Sequence, residues 1–245
     1  MNLIVSEYFY SIQGEGKTMG VPSVFIRLTA CNLMCGGRGT EKDFKLHNGA
    51  TWRCDSIEVW RKGKKWKTDD FVEEVVDLYG LKLSEGTHLI ITGGEPVLQQ
   101  KMLKDFFDKL IARLGFKPFI EIETNGTLIP KLIYNYIDLI NCSPKLSNSG
   151  ELKEKRIKKE VLTFFNNSSK SIFKFVISRE KDLAEVIELQ NKLNLHTHKI
   201  YLMPSAEDQK ELKENQDRVL DYCLKYSFNF STRLQIILWN KTTGV

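Results

Sequence analysis

Apolar and polar positions alternate along this chain with two periods that take turns. Residues 3–10 switch between apolar and polar at every step and are rich in aromatics, which predicts a strand. Residues 23–30 (SVFIRLTA) predict a second strand, running straight into Cys31. Further strands are expected at 87–92, 119–124, 137–142, 171–177, 199–203 and 234–239. Between them the period changes to that of a helix at 69–78, 101–114, 155–165, 181–193 and 209–226, the first of these opening on a capping Asp. Strand and helix exchange with short connections specify right-handed βαβ units and a parallel sheet. About six units fall short of the eight that close a full barrel. The expected fold is therefore α/β: a partial, open parallel β/α barrel in a single domain spanning 1–245.

The polar motifs sit where such a fold binds ligands. Gly93-Gly94-Glu95-Pro96, Glu123-Thr124-Asn125-Gly126 and Ser143-Pro144-Lys145 each follow a strand at its carboxyl end, and so does Cys31. In parallel α/β folds that edge carries the ligand. A long polar, Gly-rich loop then runs from Cys31 to Ser56 and holds three of the five cysteines, Cys31, Cys35 and Cys54. Three thiolates are one short of a closed structural site. A four-iron cluster on them would leave one iron open to an outside ligand; a zinc ion with His47 as fourth ligand is the competing reading. Cys142 and Cys223 have apolar flanks and read as core thiols.

Composition narrows the class. Five cysteines that do not form a disulfide framework, with no signal peptide, point to a reducing cytoplasm. No apolar run approaches the ~20 residues of a membrane span. A net charge of +5, from 36 basic and 31 acidic residues, suits an anionic small substrate and does not demand nucleic acid. Hence no membrane and no obligate nucleic-acid partner are expected. The basic run 153–159 reads as a solvated helix face.

Taken in order, the turn Ile12-Gln13-Gly14-Glu15-Gly16, the strand carrying Arg27, Cys31-x3-Cys35, Cys54-Asp55-Ser56, the Gly-Gly-Glu-Pro turn and Ser143-Pro144-Lys145 resemble the radical S-adenosylmethionine superfamily. Within it, the opening SEYFYSIQGEGKTMGVPSVFIRLTACNLMC and the closing RLQIILWNKTTGV are similar to the 7-carboxy-7-deazaguanine synthase family, over nearly the whole chain. Two departures stand out. The superfamily usually has C-x3-C-x2-C, but residue 38 is Arg and the third cysteine, Cys54, comes 19 positions after Cys35. Residues 36–53 are thus an insertion, and loop-closure entropy rises slowly enough with length to tolerate it. Gln235 stands where many relatives carry histidine.

The resemblance implies conversion of 6-carboxy-5,6,7,8-tetrahydropterin to 7-carboxy-7-deazaguanine with loss of ammonia. It implies hydrogen abstraction by a deoxyadenosyl radical, ring contraction, and regeneration of the cofactor. The implied cofactors are a 4Fe-4S cluster on Cys31, Cys35 and Cys54, S-adenosylmethionine, and magnesium held with the help of Ser56. Gly94, Glu95, Asn125, Ser143, Pro144 and Lys145 would contact S-adenosylmethionine, with Glu95 accepting from its amine. Ile12, Gln13, Gly14, Glu15, Arg27, Thr92 and Val245 would contact the pterin, Arg27 clamping its carboxylate as an otherwise unpaired cation. An electron donor such as flavodoxin or ferredoxin and a homodimer are also implied. The alternatives are a glycyl-radical-enzyme activase of the same superfamily and a zinc-bearing nucleic-acid-binding module.

Overall fold

The computed structural model describes residues 1–242. In chain order the elements are β1 (Asn2–Ile12), β2 (Pro22–Leu28), α1 (Thr40–Asp43), α2 (Ile57–Trp60), β3 (Lys64–Lys67), α3 (Thr68–Ser84), β4 (His88–Gly93), α4 (Gln100–Leu114), β5 (Ile120–Thr124), β6 (Leu139–Cys142), α5 (Lys153–Arg156), α6 (Lys159–Asn167), β7 (Ser171–Ile177), α7 (Glu180–Leu193), β8 (Ile200–Pro204), α8 (Gln209–Tyr226), β9 (Asn229–Phe230) and α9 (Leu234–Trp239). One nine-stranded sheet runs β3-β1-β2-β4-β5-β6-β7-β8-β9. From β2 through β9 every neighbouring pair is parallel, while β1 pairs antiparallel with both β2 and β3. Among the described residues the sheet keeps two free edges, at β3 and β9, so the barrel is open as the sequence predicts. Also among these residues, no helix is long and apolar enough to cross a membrane.

The period-two alternation of the strands separates two environments. Val24, Ile26 and Leu28 of β2, Leu89 and Ile91 of β4, Ile120 and Ile122 of β5, and Phe173, Phe175 and Ile177 of β7 join the core under the helices. Phe71, Val72 and Val75 of α3 and Leu103, Phe106, Phe107 and Leu110 of α4 complete that layer. The intervening residues point into the barrel. Register puts them side by side: Glu7 opposite Arg27, Arg27 opposite Thr92, and Glu123 opposite Asn141. The result is a polar belt inside an apolar shell.

Two local expectations need correction, and two short strands were not expected. Residues 234–239 form helix α9, not a strand. A six-residue apolar run has no period long enough to separate the two, and here it buries Ile236 against Ala206 and Leu212 while Ile237 and Leu238 stay exposed. The last strand is instead the two-residue β9 just before it. The helix expected at 155–165 is broken at Ile157 and Lys158, both with extended backbone, into α5 and α6. Strand β3 (KKWK) is too charged to read as a strand, but charge on a sheet edge is how edges resist pairing with other chains.

Candidate active site

The cysteine loop is anchored at its two ends. Cys31 follows β2, and its Sγ lies 3.8 Å from Asn125 Nδ2, which also donates to Asn32 Oδ1 at 2.8 Å. Although 19 positions apart, Cys35 and Cys54 are neighbours, because Cys54 N–H donates to the Cys35 carbonyl at 3.2 Å. All three thiols line one cavity of about 670 Å3 at the carboxyl edge of the sheet. Burial pushes the Cys31 thiol up to about 11 and raises Cys35 still further, so the bare chain holds both protonated. Iron would supply the charge that ionises them.

Among the described residues, no three His, Cys, Asp or Glu side chains converge tightly enough to hold a single ion. A cluster asks for something different, one thiolate on each of three irons. His47, the alternative zinc ligand, faces Asp43 at 3.0 Å and does not line the cavity. Gly94 fits the same picture: a Cβ there would stand 2.2 Å from the Ala30 carbonyl oxygen and 2.7 Å from Cys31 Cβ. Only glycine lets that turn pass so close to the first cysteine. The donor set and its cradle fit a four-iron cluster.

The cavity continues down the polar belt. Arg27 Nε donates to Glu7 Oε1 at 2.8 Å, so Arg27 is not the unpaired cation expected; one edge is held and the rest of the guanidinium faces the cavity. Thr92 Oγ1 donates to Glu123 Oε2 at 2.8 Å. Gln13 Nε2 donates to Glu121 Oε1 at 2.9 Å, and Thr18 Oγ1 to Glu121 Oε2 at 2.6 Å. Glu121 is fully buried, and burial pushes it up to about 7.

The turn at 12–16 is pinned from the far edge of the sheet. Leu234 N–H donates to the Gly14 carbonyl at 2.9 Å, and Gly16 N–H to Ser231 Oγ at 2.8 Å. Glu15 meets Arg233 at 3.2 Å, Gln235 Nε2 at 2.7 Å and the ammonium of Lys174. Burial alone would raise its pKa, but Lys174 and Arg233 together hold the carboxyl far below its usual range. Arg233 also pairs with Asp55, between Cys54 and Ser56. One guanidinium thus joins the cluster loop, the 12–16 turn and the C-terminal segment.

No protein-family profile matches the chain. The 7-carboxy-7-deazaguanine synthase of Pyrobaculum aerophilum is 31% identical over 241 residues, covering 98% of this chain and 96% of that protein. The chain belongs to the 7-carboxy-7-deazaguanine synthase family. The synthase of Hyperthermus butylicus is 30% identical, with 96% and 92% of the two chains covered. Among solved structures, QueE from Escherichia coli superposes with a TM-score of 0.60 at 22% identity, over 96% of this chain and 95% of that one. SuiB from Streptococcus suis bound to S-adenosylmethionine superposes with a TM-score of 0.51 at 16% identity, and this chain spans 51% of it. Both share the fold.

Set against that family, the sequence expectations divide cleanly. Ile12, Gln13, Gly14, Glu15, Arg27, Cys31, Cys35, Cys54, Ser56, Thr92, Gly94, Asn125, Ser143 and Lys145 line the one cavity. Glu95 does not: its carboxylate is fully buried and accepts from Val97 N–H at 3.0 Å, Asn125 N–H at 2.7 Å and Thr124 Oγ1 at 2.9 Å. It ties the turn after β4 to the turn after β5. Pro144 is also buried behind the wall, and Val245 lies outside the described residues. Among the lining residues that the sequence reading did not assign to the site are Glu7, Glu123, Asn141, Lys174 and Arg233. The signal for the first four was a polar residue at the alternating, inward position of its strand.

Proposed function

We propose that this chain is a radical S-adenosylmethionine enzyme, one domain throughout, that converts 6-carboxy-5,6,7,8-tetrahydropterin to 7-carboxy-7-deazaguanine with loss of ammonia. The observation that carries the reading is a single cavity lined by three thiols at one end and by a cation beside hydrogen-bonding groups at the other, in a chain of this family. Cys31, Cys35 and Cys54 would hold the cluster. When bound, the cluster and S-adenosylmethionine supply the radical chemistry; the protein positions and shields it. Gly94, Asn125, Ser143 and Lys145 would hold the cofactor, Lys145 presenting its ammonium from beside Ser143 Oγ at 3.0 Å. The free edge of Arg27 would take the substrate carboxylate. The side-chain carbonyls of Asn141 and Gln235, both buried without a donor among the described residues, would accept from ring or amino N–H groups. An external one-electron donor such as flavodoxin or ferredoxin, a cytoplasmic setting and a homodimer complete the proposal.

Two substitutions test the substrate half. A charge-assisted hydrogen-bonded pair contributes about 1.5–3 kcal/mol. Arg27→Ala is therefore expected to raise the pterin KM roughly 10–150-fold, while the cofactor Kd changes less than about threefold. Equal loss of both affinities would mean a disturbed fold, and no loss would remove Arg27 from the substrate site. Lysine at 27 should rescue poorly, since it cannot hold Glu7 and a carboxylate through one planar fork.

Ser56 Oγ lies 3.4 Å from Cys54 Sγ and lines the cavity. Magnesium prefers oxygen ligands and takes few from protein. We propose Ser56 as one of them. Its hydroxyl makes no capping bond to α2, so that role does not occupy it. Ser56→Ala should keep its iron and lose most of the magnesium response of turnover, and Ser56→Thr should retain it. A full magnesium response in Ser56→Ala would place the ion elsewhere.

A further inference from the structure

The 36–53 insertion is folded, not slack. Its ends are closed by the Cys54-to-Cys35 backbone bond, and His47 N–H donates to the Gly36 carbonyl at 2.8 Å. Arg53 donates to Thr40 Oγ1 at 3.0 Å and lies over the Phe44 ring, 4.9 Å from its centroid. Both ends of the excursion sit on residues 147–151, just after Ser143-Pro144-Lys145. Gly36 N–H donates to the Ser149 carbonyl and Thr51 N–H to the Asn148 carbonyl, each at 2.9 Å. Met34 N–H donates to Glu151 Oε1 at 2.6 Å, and Thr51 Oγ1 meets Ser178 Oγ at 2.6 Å. Gly150 has φ +76, and a Cβ there would come within 2.8 Å of the His47 carbonyl oxygen and 3.0 Å of Ala50 Cβ.

From below, the same segment is held by Arg156. It donates to the Lys145 carbonyl at 2.9 Å and pairs with Glu185 at 2.7 Å, and Glu185 in turn accepts from Ser147 N–H. From above, the insertion brings Trp52 to the cavity wall, where the Lys145 ammonium stands 5.6 Å from its ring centroid. The insertion is bonded to residues 147–151 near both of its ends, at Gly36 and Thr51.

We propose that the insertion is a clamp: by seating on residues 147–151 it fixes the Lys145 loop and so preforms the cofactor wall opposite the cysteines. Thr51 and Gly150 are its positioning residues. The inference rests on the reading of the cavity as an S-adenosylmethionine site, but the seat itself exists without the cofactor. A preformed wall lowers the ordering cost of binding, and a loop freed from its seat must pay that cost when ligand arrives.

The test compares Gly150→Val, Thr51→Val and Gly49→Ala with the parent. Gly49 has φ +74 but open space around it, so Gly49→Ala imposes similar backbone strain in the same insertion without disturbing the seat. Thr51→Val keeps the volume and the N–H bond to Asn148 but removes the bond to Ser178, which reaches the seat because Ser178 and Asn148 both donate to Asp182 Oδ2. Amide hydrogen exchange across 143–151 in the metal-free chain should rise at least about tenfold in Gly150→Val and about threefold in Thr51→Val. Gly49→Ala should match the parent. Anaerobically reconstituted Gly150→Val should keep its iron while binding S-adenosylmethionine about tenfold more weakly by calorimetry. Parent-like exchange in both seat variants, or equal loosening in Gly49→Ala, would overturn the clamp. Loosened exchange in a set of proteins none of which binds S-adenosylmethionine, parent included, would leave the clamp standing and overturn the proposed function.

Discussion

Cys54→Ala, reconstituted anaerobically, is expected to lose the full complement of about four irons per chain and all measurable turnover. Cys31→Ala and Cys35→Ala should behave alike, because the three thiols line one cavity and are the proposed ligands of the one cluster. Cys142 and Cys223 are buried in the helix-covered core. Cys142→Ala and Cys223→Ala should therefore retain iron and cost only packing. Iron content and the visible absorption of the reconstituted proteins separate the two groups. A full cluster in Cys54→Ala, or its loss in Cys142→Ala, would contradict the ligand assignment. The Cys54 result matters most, because the superfamily spacing would place the third cysteine at residue 38, where this chain has Arg. The backbone bond between Cys54 and Cys35 is the structural reason to expect that the distant cysteine serves.

The second large effect falls on stability. Glu15 sits between Lys174 and Arg233, whose side chains are only 6% and 14% exposed. Removing one partner of a buried pair leaves the others uncompensated, at a cost of about 3–5 kcal/mol. Glu15→Ala should therefore lower Tm by roughly 6–20 °C in a chain of this size. The sign of the pH dependence follows from the depressed pKa. The folded chain holds Glu15 ionised below the pH at which the unfolded chain protonates it, near 4.5. Its contribution is present above that value and is lost as pH falls through and below it. Urea unfolding at pH 7 and pH 3 should show the parent losing more stability on acidification than Glu15→Gln. Equal acid sensitivity in the two proteins would mean that Glu15 is not the group the two cations hold.

Glu15 also marks where the sequence stopped informing the reading. Its turn was recognisable from the glycines around it, but its partners come from β7 and from the segment before α9, 159 and 218 positions away. No local pattern announces such a meeting. Arg27, by contrast, was visible as a cation on an apolar strand, and Glu121, Glu123, Asn141 and Lys174 carry the same signature in FIEIET, LINC and SIFKFVI. The motifs mark strand ends, whereas these residues lie inside the strands at alternating positions. Glu95 shows what a motif alone does not tell: a residue expected to accept from the ligand also accepts three hydrogen bonds from the chain and braces two turns. The open barrel was readable because strand and helix periods exchange with short connections. The helix at 234–239 was not, since its six residues are too few to show a period.

The proposed function turns on what the cavity does to a carboxylated reduced pterin. The most direct measurement incubates the anaerobically reconstituted protein with a low-potential reductant, S-adenosylmethionine, magnesium and 6-carboxy-5,6,7,8-tetrahydropterin, and follows products by mass spectrometry. The expected result is 7-carboxy-7-deazaguanine and ammonia in equal amounts, over many turnovers per S-adenosylmethionine, and no product from the Cys54→Ala chain. Pterin recovered unchanged while the parent protein carries its full cluster and binds S-adenosylmethionine would contradict it.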